Sequence, residues 1–498
     1  MISRKYFRFW IVGAALVTFS PDAAAIIPGF TEMGDSCRLY STFFGAGTTV
    51  PSDVARDPDG NYYVVGWTNS ATFPVTPSAF QSTYNGGTDA WIAKFEKSNR
   101  LVWCTFYGGG SSDLANAVSL DNAGRILVTG QTSSQDFPVS SGAYQQAKLG
   151  SSDAFFLVMD TSGMRIWATY FGGSGVEHVN GGVVLPNGSI ALVGYTTSTD
   201  LPTTGGSTQA VYGGGSNDGF CVQMGQDGSF DWVTYLGGGS YEELSSITGD
   251  SNGNVYVCGW TWSTDYPITA NAYQSTANTA SGTITALNTQ GTMLWSTYYS
   301  GTSSPYGAAF TSLMLKGDRI YVCGDGGSGT PTSSGCAQSV FGGGVVDGFL
   351  TAFSTSGNRL WATYYGGNIL DELTDVALLP SGNIAVCGYS SSDNIPVTSC
   401  YYPPTHRPAR SNMIIGVFSS SGSLLLSTYF GGDGSDIGHG LQAVDDRSVL
   451  FTAEAGPNYP ISADAIQSTF VQSAITILPL TPRMEVSAGT RTQICLGD

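Results

Sequence analysis

Five carboxylates stand at one register of this chain: Asp113, Glu177, Glu242, Asp371 and Asp436, each eleven residues ahead of a turn position that is glycine in four cases. Thr49 and Tyr306 interrupt the series. If the segments carrying them run inward to a common axis, the side chains would circle one mouth of a channel. Such a ring would attract a hard cation such as Ca²⁺, which prefers oxygen ligands. The alternative is local: each carboxylate accepts backbone N–H bonds from its own Gly-rich turn. Turn chemistry recurs naturally with any repeated unit, which favours the local reading. A second series, Asp89, Asp153, Asp218 and Asp347, opens strand-like runs and reads as turn aspartates. No Asp-x-Asp-x-Asp-Gly calcium loop occurs, so no cofactor is evident, and Ca²⁺ stays an open alternative for the carboxylate register.

Catalytic constellations are scarce. The histidines are His178, His406 and His439, with no pair at zinc spacing and no Gly-x-Ser-x-Gly elbow. His439 falls on an expected inner strand, where a lone histidine is more often a structural side chain than a catalyst. Gly108-Gly109-Gly110 lacks the Lys-Ser/Thr of a phosphate loop and reads as a turn. Two carboxylates at suitable separation would serve a glycosidase, but 37 acidic residues make some such pair uninformative. No catalytic residue is assigned.

The elements that carry these residues repeat. A Thr-aromatic-x-Gly-Gly signature recurs at Thr42, Thr105, Thr169, Thr234, Thr297, Thr363 and Thr428, with Ala46 and Ser300 as imperfect glycine positions. Each period of about 64 residues holds four strand-like runs. A loop of about 20 residues between the second and third runs carries an apolar residue before proline: Phe73, Phe137, Leu201, Tyr266, Ile395 or Tyr459. The fourth run carries Trp103, Trp167, Trp232, Trp295 or Trp361, with Leu426 in the sixth. A four-stranded unit with two apolar faces buries them only by stacking on copies of itself. The tryptophans are therefore expected between units, and the architecture expected is an all-β, seven-bladed β-propeller. Its first signature, residues 39–44, lacks a preceding third run, while residues 474–480 form a third run lacking its fourth. Pairing of these two segments would complete the last blade and close the ring.

With 41% hydrophobic residues, 67 Gly and 11% charged residues, the composition suits many short strands around a large core. A net charge of −18 argues against nucleic acid and anionic lipid surfaces, which need clustered Lys and Arg. Arg4, Lys5 and Arg8, the apolar run from Trp10 to Phe19 and Ala23-Ala24-Ala25 read as a signal peptide over residues 1–25, implying a secreted or cell-surface protein with no transmembrane segment after cleavage. Residues 26–36 read as a linker, 37–480 as the propeller and 481–498 as a tail or the truncated start of a PKD-like or Ig-like domain. Cys258, Cys323 and Cys387 share one Val-Cys-Gly slot and are expected in the core; Cys336 and Cys400 lie in equivalent loops and are candidates for a bridge.

Asp89-Ala90-Trp91, Met293-Leu294-Trp295-Ser296-Thr297-Tyr298-Tyr299, Gly253-Asn254-Val255-Tyr256-Val257-Cys258-Gly259 and Phe73-Pro74-Val75-Thr76 resemble the SBBP β-propeller repeat family. The resemblance implies a bacterial exported or cell-surface protein and supplies no catalytic residues. The function expected is a monomeric binding, adhesion or scaffold module for an extracellular protein or glycan, presenting its long loops. The alternatives are an exported polysaccharide hydrolase or lyase with acids at the channel mouth, and a structural spacer.

Overall fold

A computed structural model describes residues 39–480 except 226, 278–279, 302–305 and 399–410, together with the backbone of Arg483–Ser487 and Arg491–Cys495. The expected signal peptide, linker, His406 and Cys400 lie outside the described residues, and with Cys400 the proposed bridge to Cys336. Arg483–Ser487 and Arg491–Cys495 form an antiparallel hairpin.

Seven four-stranded antiparallel sheets follow one another along the chain. Their first strands are Thr49–Arg56, Asp113–Leu120, Glu177–Val184, Glu242–Gly249, Ala308–Lys316, Asp371–Leu378 and Ile437–Asp445, which define blades 1 to 7. Each of these strands touches the first strand of the next blade, and that of blade 7 touches that of blade 1, so they form the inner ring around the axis. The ring closes as expected. Tyr40–Phe43 is the outermost strand of blade 7, pairing Tyr40 with Ile477 and Phe43 with Ala474 in Ser473–Pro479. Tyr40, Phe43 and Phe44 are all buried there.

Each inner strand carries a β-bulge at the same place, between Pro51 and Asp53 in blade 1 and between Leu373 and Asp375 in blade 6, for example. A bulge leaves one residue outside the ladder and re-aims its side chain. That freed residue laces the ring: Asn180 Nδ2 donates to the Leu244 carbonyl (2.9 Å), Thr311 Oγ1 to Leu373 (2.7 Å) and Thr374 Oγ1 to Gly438 (2.7 Å). One residue further on, Asp53 accepts the Val118 amide (2.9 Å) and Asp375 the Leu441 amide (2.6 Å), each from the following blade.

Between blades the fourth-strand tryptophans fill the gap. Trp103, Trp232, Trp295 and Trp361 are buried, and Trp361 Nε1 donates to the Ser420 carbonyl of the next blade (3.0 Å). That tryptophan lies against Gly422, which has φ +87° and whose added Cβ would fall 2.7 Å from the indole. Glycine is required twice over at this turn, by backbone conformation and by the ring it faces. Trp361→Ala is expected to lower stability by about 3–5 kcal/mol, the range for emptying a large aromatic site, read as a fall in the urea midpoint at unchanged m. Cys258, Cys323 and Cys387 are fully buried, as expected of small apolar core residues. Burial pushes their thiols up, out of reactive range.

The long loops are anchored to the blades at one apolar residue each, while Tyr144, Leu149, Val211 and Val340 on them are exposed. Phe73, Phe137, Leu201, Tyr266, Ile395 and Tyr459 are all buried. The loop of blade 1 runs along the outer strand, where Thr76 N donates to Cys104 O (3.0 Å) and Phe106 N to Gln81 O (3.1 Å). Gln81 clamps the arrangement, accepting the Gly108 amide through Oε1 (3.1 Å) and donating to Asp89 (3.3 Å). Gln145, Gln209 and Gln338 repeat this clamp with Asp153, Asp218 and Asp347. An outer strand would otherwise expose unpaired backbone groups to edge-to-edge association. The loops cover that edge.

Candidate functional site

The five carboxylates of the first series stand where the inner strands begin, and each is fully buried. Asp113 accepts from Gly109 N (2.8 Å) and Ser134 Oγ (2.8 Å), Glu177 from Gly173 N (3.1 Å) and Thr196 Oγ1 (2.7 Å), and Glu242 from Gly238 N (2.7 Å) and Thr261 Oγ1 (2.6 Å). Asp371 accepts from Gly367 N (2.7 Å) and Ser392 Oγ (2.9 Å), and Asp436 from Gly432 N (2.9 Å) and Gly456 N (2.7 Å). As placed, none presents an oxygen to solvent; all five brace the turn between one blade and the next. In blade 5 the register falls on Ala308, which pairs with Gly326 as Asp371 pairs with Ser390, and not on Tyr306. The connection into blade 5 is longer than its counterparts, which displaces the count. In blade 5 the hydroxyl partner is lost with the carboxylate, whereas in blade 1 Thr49 takes the carboxylate's place and its hydroxyl bonds to that of Thr68 (3.0 Å). Asp89, Asp153, Asp218 and Asp347 likewise accept loop amides, from Asn85, Leu149, Gly213 and Gly342. Among the described residues no group of three or more His, Cys, Asp or Glu side chains is arranged to hold a metal ion.

Variation concentrates one residue away. The inner-strand residue after each brace pairs with the second-strand residue before each brace's partner, giving Val50–Trp67, Leu114–Gln131, His178–Tyr195, Glu243–Trp260, Ala309–Asp325, Glu372–Tyr389 and Ile437–Glu454. The braces beside this register recur in five of the seven blades, while the register pairs range from Val50–Trp67 and Leu114–Gln131 to the Glu–aromatic pairs of blades 4 and 6. A position that a repeated scaffold leaves unconstrained is where a specific role is free to reside.

In blades 3 and 4 the register residues His178, Tyr195 and Trp260 join Tyr241 and Trp262, which lie just outside the register, in an aromatic cluster. His178 stacks on Tyr195 (centroids 4.8 Å, 7° between planes) and Tyr241 stacks on Trp260 (4.6 Å, 25°). Trp262 lies 5.9 Å from both Tyr241 and Trp260, and Tyr195 lies 6.3 Å from Tyr241. Trp262 is 44% exposed, whereas most large aromatics of the chain are buried in blade interfaces. Beneath the cluster Glu243 ties two blades together, accepting from Tyr241 Oη (2.9 Å) and from Asn180 Nδ2 (3.0 Å). Burial and then the Glu243 charge push the Tyr241 phenol up, so it stays protonated as donor. The cluster offers an exposed indole at Trp262 with the Tyr241 phenol near it, while Glu243 is buried and both its oxygens are engaged. Such a surface suits a ligand with a flat apolar face and hydroxyls at its rim. The sequence analysis does not single it out, since the tryptophans it reads are those of the fourth strands, whereas Trp260 and Trp262 lie at the end of a second strand. The legible signal was the residue after Gly in the second strand, which reads Trp67, Gln131, Tyr195, Trp260, Asp325, Tyr389 along the chain.

Deep in the ring, Asp53 and Asp375 stand at the residue after the bulge. Each keeps some surface toward the axial space yet is enclosed by protein, and the enclosure governs its titration. Burial, then the Asp375 charge, pushes the Asp53 carboxyl up to about 8; burial pushes Asp375 up to about 6.

The fold and site together define a seven-bladed β-propeller whose individuality lies in one register at the inner-strand ends. The family model of the beta-propeller repeat (SBBP) matches this chain over residues 39–74 and 231–267. An uncharacterized WD repeat-containing protein, L264, of Acanthamoeba polyphaga mimivirus is 27% identical over 152 residues, 28% of this chain and 11% of that protein. The chain thus spans about a tenth of that relative's length. Among solved structures, virginiamycin B lyase from Staphylococcus aureus is 11% identical, with 88% of this chain and 98% of that chain covered and a TM-score of 0.43. The Neurospora crassa Pan2 WD40 domain is 10% identical, covering 86% and 89%, with a TM-score of 0.43. The beta-propeller domain of the Trilobed protease from Pyrococcus furiosus is 8% identical, covering 90% and 96%, with a TM-score of 0.43.

Proposed function

We propose that this propeller is an exported, monomeric binding module whose ligand is a neutral glycan seated on the aromatic cluster of blades 3 and 4. One observation carries the reading: Tyr241 and Trp262 stand where the other blades carry no aromatic residue, pack around Trp260, and leave Trp262 half in solvent. A pyranose ring has a flat C–H face that packs on an aromatic plane such as the exposed indole of Trp262. Charge narrows the class, since a chain of net charge −18 with a carboxylate at the platform disfavours uronic and sulfated sugars. The signal-like segment over residues 1–25 supports export.

The test is a panel of neutral and acidic oligosaccharides titrated against the chain. Saturable binding of a neutral oligosaccharide is expected, with at least a tenfold loss in Trp262→Ala and in Trp260→Ala. Trp262→Ala should leave the thermal midpoint within about 2 °C, because an exposed side chain carries little stability. Binding that survives both substitutions would overturn the assignment of the site, and product release from a polysaccharide would replace a binding module with an enzyme.

A further inference from the structure

Blade 7 departs from the repeat in a second way. Two residues after the partner of the turn brace, the other blades carry Ser70, Ser134, Ser198, Ser263, Ser328 and Ser392; blade 7 has Pro457. Ala455-Gly456-Pro457 takes a different path, in which the Gly456 amide replaces the serine as a donor to Asp436 (2.7 Å). Gly456 and Gly434 meet so closely that a Cβ on either would lie 2.4–2.5 Å from the other's Cα. Beside this contact opens a cleft of about 230 Å³, lined by Ser435, Ile437, Glu454, Pro457, Phe470 and Gln472 among others.

The lining has a definite chemistry. Glu454 occupies the variable register of this blade, its side chain 38% exposed, with His439 Nε2 3.3 Å from its Oε1. Phe470 is 46% exposed, and its other contact is edge-on to Phe43 (5.4 Å, 88°), which fixes the ring. Ile437 and Pro457 supply apolar wall, and no lysine or arginine lines the cleft. A carboxylate, a fixed aromatic ring and a short apolar wall recognise a cation on an aliphatic stem, through charge pairing at one end and ring and wall contact along the rest. The volume suits a stem of four or five carbons and no more than a small ligand.

We infer that the blade 7 cleft, at Glu454 and Phe470, is a binding site for an alkylammonium group, independent of the glycan site on blades 3 and 4. The group arrives either on a free amine or as a lysine side chain of a partner protein. n-Butylammonium chloride is the probe, followed by saturation-transfer NMR on the full chain, with 1-butanol as the uncharged counterpart. Saturable binding in a roughly millimolar range is expected for so small a ligand. Glu454→Gln should weaken it at least tenfold, and Phe470→Ala three- to fivefold. 1-Butanol should bind more weakly and be indifferent to Glu454→Gln, while Trp262→Ala should leave n-butylammonium binding unchanged. Competition by Nα-acetyl-lysine amide would point to a lysine side chain as the source, and its failure to compete to a free amine. Absence of saturable n-butylammonium binding, or equal affinity in the parent chain and in a folded Glu454→Gln, overturns the inference. Phe470→Ala removes an exposed side chain and provides the same reading should Glu454→Gln fold poorly.

Discussion

A chain that begins after Phe44 loses the cooperative unfolding of the whole propeller, with its thermal midpoint lowered by more than about 10 °C. The reason is the closure of blade 7. Tyr40, Phe43 and Phe44 are 4%, 3% and 1% exposed in the intact ring. Burying three aromatic side chains contributes roughly 1.5–3 kcal/mol each, which together approaches the net stability of about 5–15 kcal/mol typical of a folded domain. The truncation also strips the outer edge of Ser473–Pro479 and releases the loop that binds Ser41 and Thr42, where Ser462 N donates to Ser41 O (3.0 Å) and Gln467 N to Thr42 Oγ1 (2.9 Å). An uncovered edge of this kind promotes association between molecules. Differential scanning calorimetry gives the comparison, and a synthetic peptide spanning residues 37–47 should raise the midpoint again in a concentration-dependent way. A truncated chain as stable as the parent would show that the seventh blade holds without its fourth strand.

The second large effect is on pH. Six enclosed carboxyls are pushed up chiefly by burial: Asp53 to about 8, Asp89, Glu177, Asp218 and Asp347 to about 7, and Asp375 to about 6. In the unfolded chain the same groups ionise near their ordinary values of 3.8 for Asp and 4.5 for Glu. Between these limits the folded protein holds more protons than the unfolded one. Stability is therefore fully present below about pH 4 and is lost progressively as pH rises through about 6 to 8. The thermal midpoint should fall by more than about 5 °C from pH 5 to pH 8.5. Repulsion within a chain of net charge −18 acts in the same direction, but 0.5 M salt screens exposed charges and leaves enclosed ones largely unscreened. The fall should therefore persist at high salt. A midpoint that is flat or rises across this range would mean that these carboxyls are not enclosed as described.

How much of this was legible in the sequence follows from what repeats. The Thr-aromatic-x-Gly-Gly signature, the fourth-strand tryptophans and the unmatched end segments each reflect a requirement imposed on every blade, and repetition made them visible. The turn aspartates and glutamates were visible for the same reason, and the structure places them in the bracing role that repetition implies. The inner-strand bulge was not legible. It leaves no residue type of its own, and Asn116, Asn180, Thr311 and Thr374 lace the ring from it with differing side chains. The loop clamp at Gln81, Gln145, Gln209 and Gln338 was in plain view but joins residues some 8 and 27 positions apart, which only the fold brings together. The candidate site escaped for the opposite reason, since it turns on what fails to repeat: Tyr241 and Trp262 in blade 4, Glu454 in blade 7.

That contrast supplies the central claim, that the glycan is recognised where the blade repeat breaks and not on the long loops that cover the outer edges of blades 1 and 2. Backbone hydrogen exchange, with and without a bound neutral oligosaccharide, locates the contact without presuming it. The account predicts added protection confined to residues 178–180, 241–243 and 260–262, with the loops 69–88 and 133–152 unchanged. Protection that instead follows those loops, and spares the aromatic cluster, would contradict it.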